Sequence, residues 1–379
     1  MRSSRLVGLV AFGLMTVAST ALNAQPKVFA TGLLNPAKVI LGPGGTLLVS
    51  EFGTDNNSGR ISIINASGVR RTLIDGLPSG TASNGPDGPT GVVLDDNTLY
   101  VAIGEGDQLQ AGTTAGTSVP NPKGPASPIL ATILQLSLPT SVDKIASGFS
   151  LKAADHASLA DGLTVNLDNG TDKATISMLS EFRYRPDPVS IYRNSHPYSL
   201  AKFPGDTNHL YLSDAGLNAI VQVDLPSGRS RKFTAFPNQP NHGTIGAPTS
   251  ESVPTSIRVY GGQFLVTLLT GFPFATGNSK IMAVNPATGA ASVFLENLTS
   301  AIDVVSRGRF FGGVDYFVLE FSSDIRTTQP GRLRVLGSGG QRVLADNLPG
   351  PSSLAYDTSA NRIYITTKGD GSLLQVDVK

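Results

Sequence analysis

The sequence of 379 residues contains no cysteine. A disulfide framework, a thiolate-held metal and a cysteine nucleophile are therefore all excluded. Net charge is equally scarce, with 29 basic side chains against 28 acidic ones. A nucleic-acid binder needs a basic face to displace counterions from phosphates, so that class is excluded too. The four histidines, His156, His196, His209 and His242, lack the close spacing of a zinc signature. No G-x-S-x-G, H-E-x-x-H, P-loop or Rossmann fingerprint occurs.

The notable apolar run is Leu6 to Ala18, short for a membrane span. It follows Arg2 and Arg5 and precedes Leu22-Asn23-Ala24, a small-residue cleavage pattern. Residues 1–24 are expected to be a secretory signal peptide, with an uncleaved anchor as the alternative. The expected product is exported, periplasmic or secreted, free of the membrane after cleavage, and monomeric.

Glycine and proline are plentiful instead, at 42 and 25 residues. Punctuation that dense favours short strands and turns over helices, hence an all-β fold. The pattern is clearest from Ser195 to Pro237, where LYLSD, AIVQVD and RKFTAF follow a proline-led apolar segment. The same order recurs. A first repeat runs through Ala37–Leu41, Thr46–Glu51, Gly59–Ile64 and Arg70–Leu77, and a second starts at Gly91–Leu94 and Thr98–Gly104. Further repeats open at Thr255, Ala301 and Ser353, the last ending at the C-terminus before its fourth strand. Lys27–Leu33 (KVFATGL) resembles the missing strand, as a comparison with SVFLENL and RVLADNL shows. The expected architecture is a six-bladed β-propeller closed by the N-terminal strand completing the last blade, which leaves no open edge.

Residues 105–195 interrupt the period of about 40 to 50 residues that propellers keep. A loop from Glu105 to Pro128, a strand in ILATILQLS, a short helix at Lys152 to Ala160 and a hairpin turning at Asp168-Asn169-Gly170 are expected there. Ile176–Phe182 would then be the fourth strand of blade 2, and the insertion would cover part of one face. A hidden seventh blade is the rival reading. Residues 25–379 read as one propeller domain.

The units Asn35–Glu51, Gly88–Asp107 and the proline-tyrosine start followed by LYLSDAGLNAIVQVD resemble the ScyD/ScyE family, which is similar to NHL and SMP-30-type propellers. The resemblance implies an exported bacterial propeller linked to secondary metabolism, and it implies no particular reaction. Family members usually carry Asn-Pro-Tyr where this chain has His196-Pro197-Tyr198.

Loops between fourth and first strands, and between second and third, would meet at one mouth of the channel. They carry Glu51, Glu105, Asp107, Asp214 and Glu320 at second-strand ends, and Asp87, His196 and Asp303 near first-strand starts. Converging carboxylates suit Ca²⁺, which takes roughly 6 to 8 oxygens. Singly, each acid equally suits the capping of a turn. His196 stands out because Pro197 holds its backbone extended. His209 is expected at the opposite face, and His156 and His242 in loops. The patch GFPFATG, Gly271 to Gly277, could line the mouth or pack on its own blade. Two functions stay open: a noncatalytic propeller binding a small molecule or protein at its mouth, and a Ca²⁺-dependent lactonase-like hydrolase. A quinone-dependent sugar dehydrogenase is a weaker third.

Overall fold

The computed structural model describes residues 25–378, apart from 83–84, 114–116, 183–194, 242, 310–311 and 338–339. The proposed signal segment and His242 therefore lie outside the described residues. Six antiparallel sheets follow one another along the chain as the blades of a propeller. Blade 1 comprises Pro36–Leu41, Leu47–Glu51, Gly59–Ile64 and Arg70–Leu77, within one residue of the expected bounds. There is no seventh blade among the described residues. The chain between blades 2 and 3 is used up by strands of blade 2 and by the insertion.

The ring closes as the repeat count requires. Lys27–Ala30 lies antiparallel to Ser372–Asp377, with Lys27 opposite Gln375 and Val28 opposite Leu374. Leu33 N then bonds Gly371 O at 3.0 Å. The edge of the last sheet is thereby paired rather than left to recruit another chain.

At the axis every first strand carries the same irregularity. Just after its opening residue (Pro36, Pro89, Pro197, Pro254, Ala301 or Pro351), the register with the second strand slips. A bulge of this kind bends the strand and re-aims the next side chain. Proline fits the position because its missing N–H falls where the ladder is already interrupted. Hydroxyls near the bulges then reach neighbouring blades. Ser50 Oγ donates to Thr90 O at 2.5 Å, Thr90 Oγ1 to Pro197 O at 2.9 Å and Ser352 Oγ to Pro36 O at 2.6 Å. Blade 2 has Gly91 there, where an added Cβ would stand 2.5 Å from Leu200 N of blade 3.

The insertion has two parts. Its loop from Glu105 to Pro128 stays with the mouth loops, where Ala126 O accepts from Asn57 Nδ2 of blade 1 at 3.0 Å, and the rest joins the outer edges of blades 1 and 2. Phe149–Ser150 adds a parallel strand to blade 1 beside Ile74 and Asp75, and Val165–Asp168 adds a fifth strand to blade 2. The helix expected over Lys152 to Ala160 is present as Ala153–Ala160. His156, expected in a loop, sits on it, buried between Ser127 Oγ and Gly76 O at 3.0 and 2.9 Å. The reason is apolar: Phe149, Leu151, Leu159 and Leu167 complete the largest core cluster, which spans both blades. Burying that surface outweighs anything the polar mouth offers these side chains. Gly76 must be glycine, because its φ is +68° and a Cβ would meet Leu151 O at 2.0 Å.

Deleting residues 25–31 should expose the edge of the last sheet, lower the melting temperature by roughly 10 °C or more and produce oligomers on size exclusion. An unchanged, monodisperse monomer would refute the latch.

Candidate functional site

Three of the nominated acids are committed to holding the loops. Glu51, fully buried, accepts from Leu34 N at 2.5 Å, from Arg60 Nε at 2.8 Å and from Ser62 Oγ. Glu320 repeats the arrangement in blade 5, with Thr299 N at 2.9 Å, Arg332 Nε at 2.5 Å and Arg334 Nη1 at 2.9 Å. Asp214 does so in blade 3, taking His196 N and Leu217 N at 2.9 Å each, besides Ser195 Oγ. Each therefore ties the loop entering a blade to the end of that blade's second strand, since a buried carboxylate must find donors for both oxygens. Burial still raises Asp214 above the ordinary carboxylate range despite these donors. Asp107 takes Ala126 N at 2.8 Å and Asn121 Nδ2 at 3.1 Å, which pins the long loop of blade 2.

Blades 2, 4 and 6 have no such acid, since the second strands of blades 4 and 6 end at Leu268 and Thr367, and in blade 2 other carboxylates take its place. Its second strand ends at Ile103 instead of an acid. The carboxylate comes from the entering loop, as Asp87, which accepts from Gly106 N at 2.8 Å. Asp87 Oδ2 lies 3.3 Å from His196 Nε2 across the blade 2 to blade 3 junction. Glu105 Oε1 stands 3.9 Å from His196 Nδ1 on the other side. His196 Nε2 is buried and has no aligned hydrogen-bond acceptor, so its contact with Asp87 is an ion pair by distance alone. Burial works against the imidazolium, but Asp87 and Glu105 outweigh it and push the pKa of His196 up to about 9. Burial likewise works against the Asp87 carboxylate, yet His196 and the Gly106 amide hold it below the usual range.

Two further mouth residues were not foreseen. Lys368 follows the second strand of blade 6, and Phe52 follows that of blade 1, one position beyond the acid. Lys368 Nζ lies 4.1 Å from the Phe52 ring centroid. Burial pulls its pKa down to about 8, with Asp87 pulling the other way. Aligning the repeats on their second strands would have put both at the mouth, because the position they share is one residue past Glu51. Tyr198 lies deeper, its ring 5.5 Å from that of His196. Burial, with Asp87 and Asp303 nearby, raises its hydroxyl well above the usual range and keeps it a neutral donor.

Below Tyr198 the channel is stopped by charge. Asp303, fully buried, takes Arg258 Nε at 3.0 Å, Arg258 Nη2 at 2.6 Å, Ser256 Oγ at 2.5 Å and Ser353 Oγ at 2.7 Å. Lys38 Nζ is 3.7 Å from Asp303 and donates to Thr255 O at 2.9 Å. Burial opposes the Asp303 charge, but Arg258 and Lys38 overcome it and hold the carboxyl well below its usual range. Burial pulls Lys38 down to about 8, against the attraction of Asp303. Asp303 is thus enclosed within the channel and the mouth acids do not meet it.

Among the described residues no group of three or more His, Asp or Glu is disposed to hold a metal ion. Glu51, Asp214 and Glu320 direct their oxygens to amides, hydroxyls and guanidiniums rather than to a common point, a donor set that does not fit Ca²⁺. His209 pairs with Asp206 at 3.0 Å at the far end of its strand from the mouth. Phe272 of the GFPFATG loop is half exposed and stands 6.2 Å, edge to face, from Phe274.

No family model and no curated protein matches the chain. Solved structures that resemble it include a streptogramin B lyase, at 10% identity and a TM-score of 0.48 over 93% of this chain and 97% of that one. A PQQ-bound aldose sugar dehydrogenase from Streptomyces coelicolor gives 14% identity and 0.44, over 93% and 97%. A nidogen/laminin complex gives 11% and 0.42, over 88% and 94%. At such identities the likeness extends to the propeller architecture and to nothing chemical.

The titrations predict an uncommon pH profile. His196, raised from 6.5 to about 9, contributes stability that is complete below pH 6.5 and lost as pH rises through 9. Lys38 and Lys368, lowered from 10.5 to about 8, oppose folding while protonated, so stability recovers between pH 8 and 10.5. Urea midpoints should fall from pH 6.5 to 8 and rise again above 9. His196→Gln should remove the fall and leave the rise; a flat wild-type profile would contradict the assignment.

Proposed function

We propose that the protein is an exported binding propeller of the ScyD/ScyE type that takes a small hydroxylated molecule at its channel mouth. The observation that carries this reading is the convergence of His196, Asp87, Glu105, Lys368 and Phe52 from four blades. Two carboxylates supply acceptors, the imidazolium, the ammonium and the Tyr198 hydroxyl supply donors, and Phe52 and Tyr198 supply apolar faces. Polyols and sugars present that alternation of hydroxyls and C–H faces, whereas a purely apolar ligand would leave the charges unsolvated. The imidazolium held between two carboxylates is already oriented, so a ligand hydroxyl need not order it on binding.

Export rests on residues 1–24, and the link to secondary metabolism on the repeat motifs shared with that family. A hydrolase at the same mouth would need a polarising ion or an activated nucleophile, and no observation favours that reading over binding.

A thermal-shift panel of monosaccharides, polyols and phenolic glycosides should raise the melting temperature for at least one member. His196→Ala and Glu105→Gln should abolish that shift while leaving the unliganded circular-dichroism spectrum unchanged. The same assay with Ca²⁺ and with EDTA should show no difference. A clear rise with Ca²⁺ would restore the lactonase reading, and a silent panel or unaffected variants would overturn the mouth as the binding site.

A further inference from the structure

We propose a second, separate site at the opposite end of the channel, one that takes an anionic group carried on an apolar body. Two cavities adjoin there. One, of about 310 Å³, is walled by the ends of first strands from blades 1, 4, 5 and 6, including Ile40, Val259, Tyr260 and Val305. The other, of about 690 Å³, lies between blades 5 and 6 and is lined by Arg307, Arg309 and Arg342. Ser306, Tyr356 and Thr358 line both, so the apolar chamber opens onto the arginine groove. Their volumes are those of small-molecule sites, which pair an apolar wall with a few placed polar groups.

The charge is unbalanced in one direction. Asp315 is fully buried beneath the groove and binds Arg307 Nη2 at 2.8 Å, Arg309 Nε at 2.9 Å and Arg309 Nη2 at 2.7 Å. One carboxylate therefore serves two guanidiniums in a groove lined by three. Arg307 is fixed further by Asn361 Oδ1 at 3.3 Å and by the Phe317 ring, 5.6 Å from its Cζ. Arg342, exposed on the fourth strand of blade 5, has neither an ion pair nor a hydrogen-bonded side chain among the described residues. Asp315 thus orients two arginines without neutralising the third, which leaves planar donor forks directed at a carboxylate, sulfate or phosphate. The neighbouring chamber accepts the attached aromatic or acyl body.

This site does not depend on the mouth, from which the Lys38, Arg258 and Asp303 cluster separates it. Naphthalene-2-sulfonate is a suitable probe, titrated calorimetrically at fixed ionic strength against inorganic sulfate (head alone) and 2-naphthol (body alone). One molecule should bind per chain, more tightly than either part. Arg342→Gln and Arg309→Gln should each weaken it about tenfold, the size expected of a charge-assisted hydrogen bond. Arg229→Gln, an equal charge loss on the distant edge of blade 3, should change nothing. Should Arg309→Gln disturb its pair with Asp315, the exposed and unpaired Arg342 still decides the outcome. No saturable binding, unaffected arginine variants, or equal weakening by Arg229→Gln would overturn the proposal.

Discussion

Six first strands converge on one axis, and the space there is so limited that each blade is shaped by the backbone of the next. Hydroxyls at the bulges bond carbonyls of neighbouring blades, Ser352 to Pro36 across 316 residues of chain. Each bond contributes only about 1 kcal/mol net, but an unpaired hydroxyl or carbonyl buried at the axis would cost more. The ring is therefore satisfied only when it is closed, and closure requires Lys27–Ala30 to reach the last strand. Everything at the mouth inherits its position from that condition.

The fold was legible in the sequence because its determinants repeat. A proline at the start of five of the six inner strands, an alternating second strand and a turn every few residues are local signals, and repeated copies of them correct one another. The missing last strand could be matched to KVFATGL for the same reason. The helix-bearing part of the insertion was legible as elements and illegible as a location, since Phe149 and Leu159 are apolar wherever they pack. Only the docking against blade 1 reveals that they serve an outer edge.

The site was half legible. Strand ends nominated Glu51, Asp214 and Glu320 on position, and position cannot distinguish an acid that binds a loop amide from one that faces a ligand. Blade 2, like blades 4 and 6, lacks the acid at its second-strand end, and it carries Asp87 and Glu105 nearby, on either side of His196. Lys368 escaped notice because a lysine after a strand reads as solvated surface. Its partner is an aromatic ring from a blade that lies far away in sequence and beside it in the closed ring.

The charged cluster halfway down the channel explains why two ends of one pore can have opposite character. Asp303 accepts five hydrogen bonds from four residues of blades 4 and 6, Ser256, Arg258, Ser353 and Leu354. Removing any one charge would strand the others in a low-dielectric interior, so the group behaves as a fixed plug. It holds one more positive than negative charge. At the mouth Asp87 and Glu105 flank His196, which leaves that end of mixed sign. At the other end Asp315 pairs with Arg307 and Arg309 while Arg342 has no acidic partner among the described residues, so that end carries excess positive charge. The same buried cluster, set between the two ends, thereby lets each carry its own balance of charge.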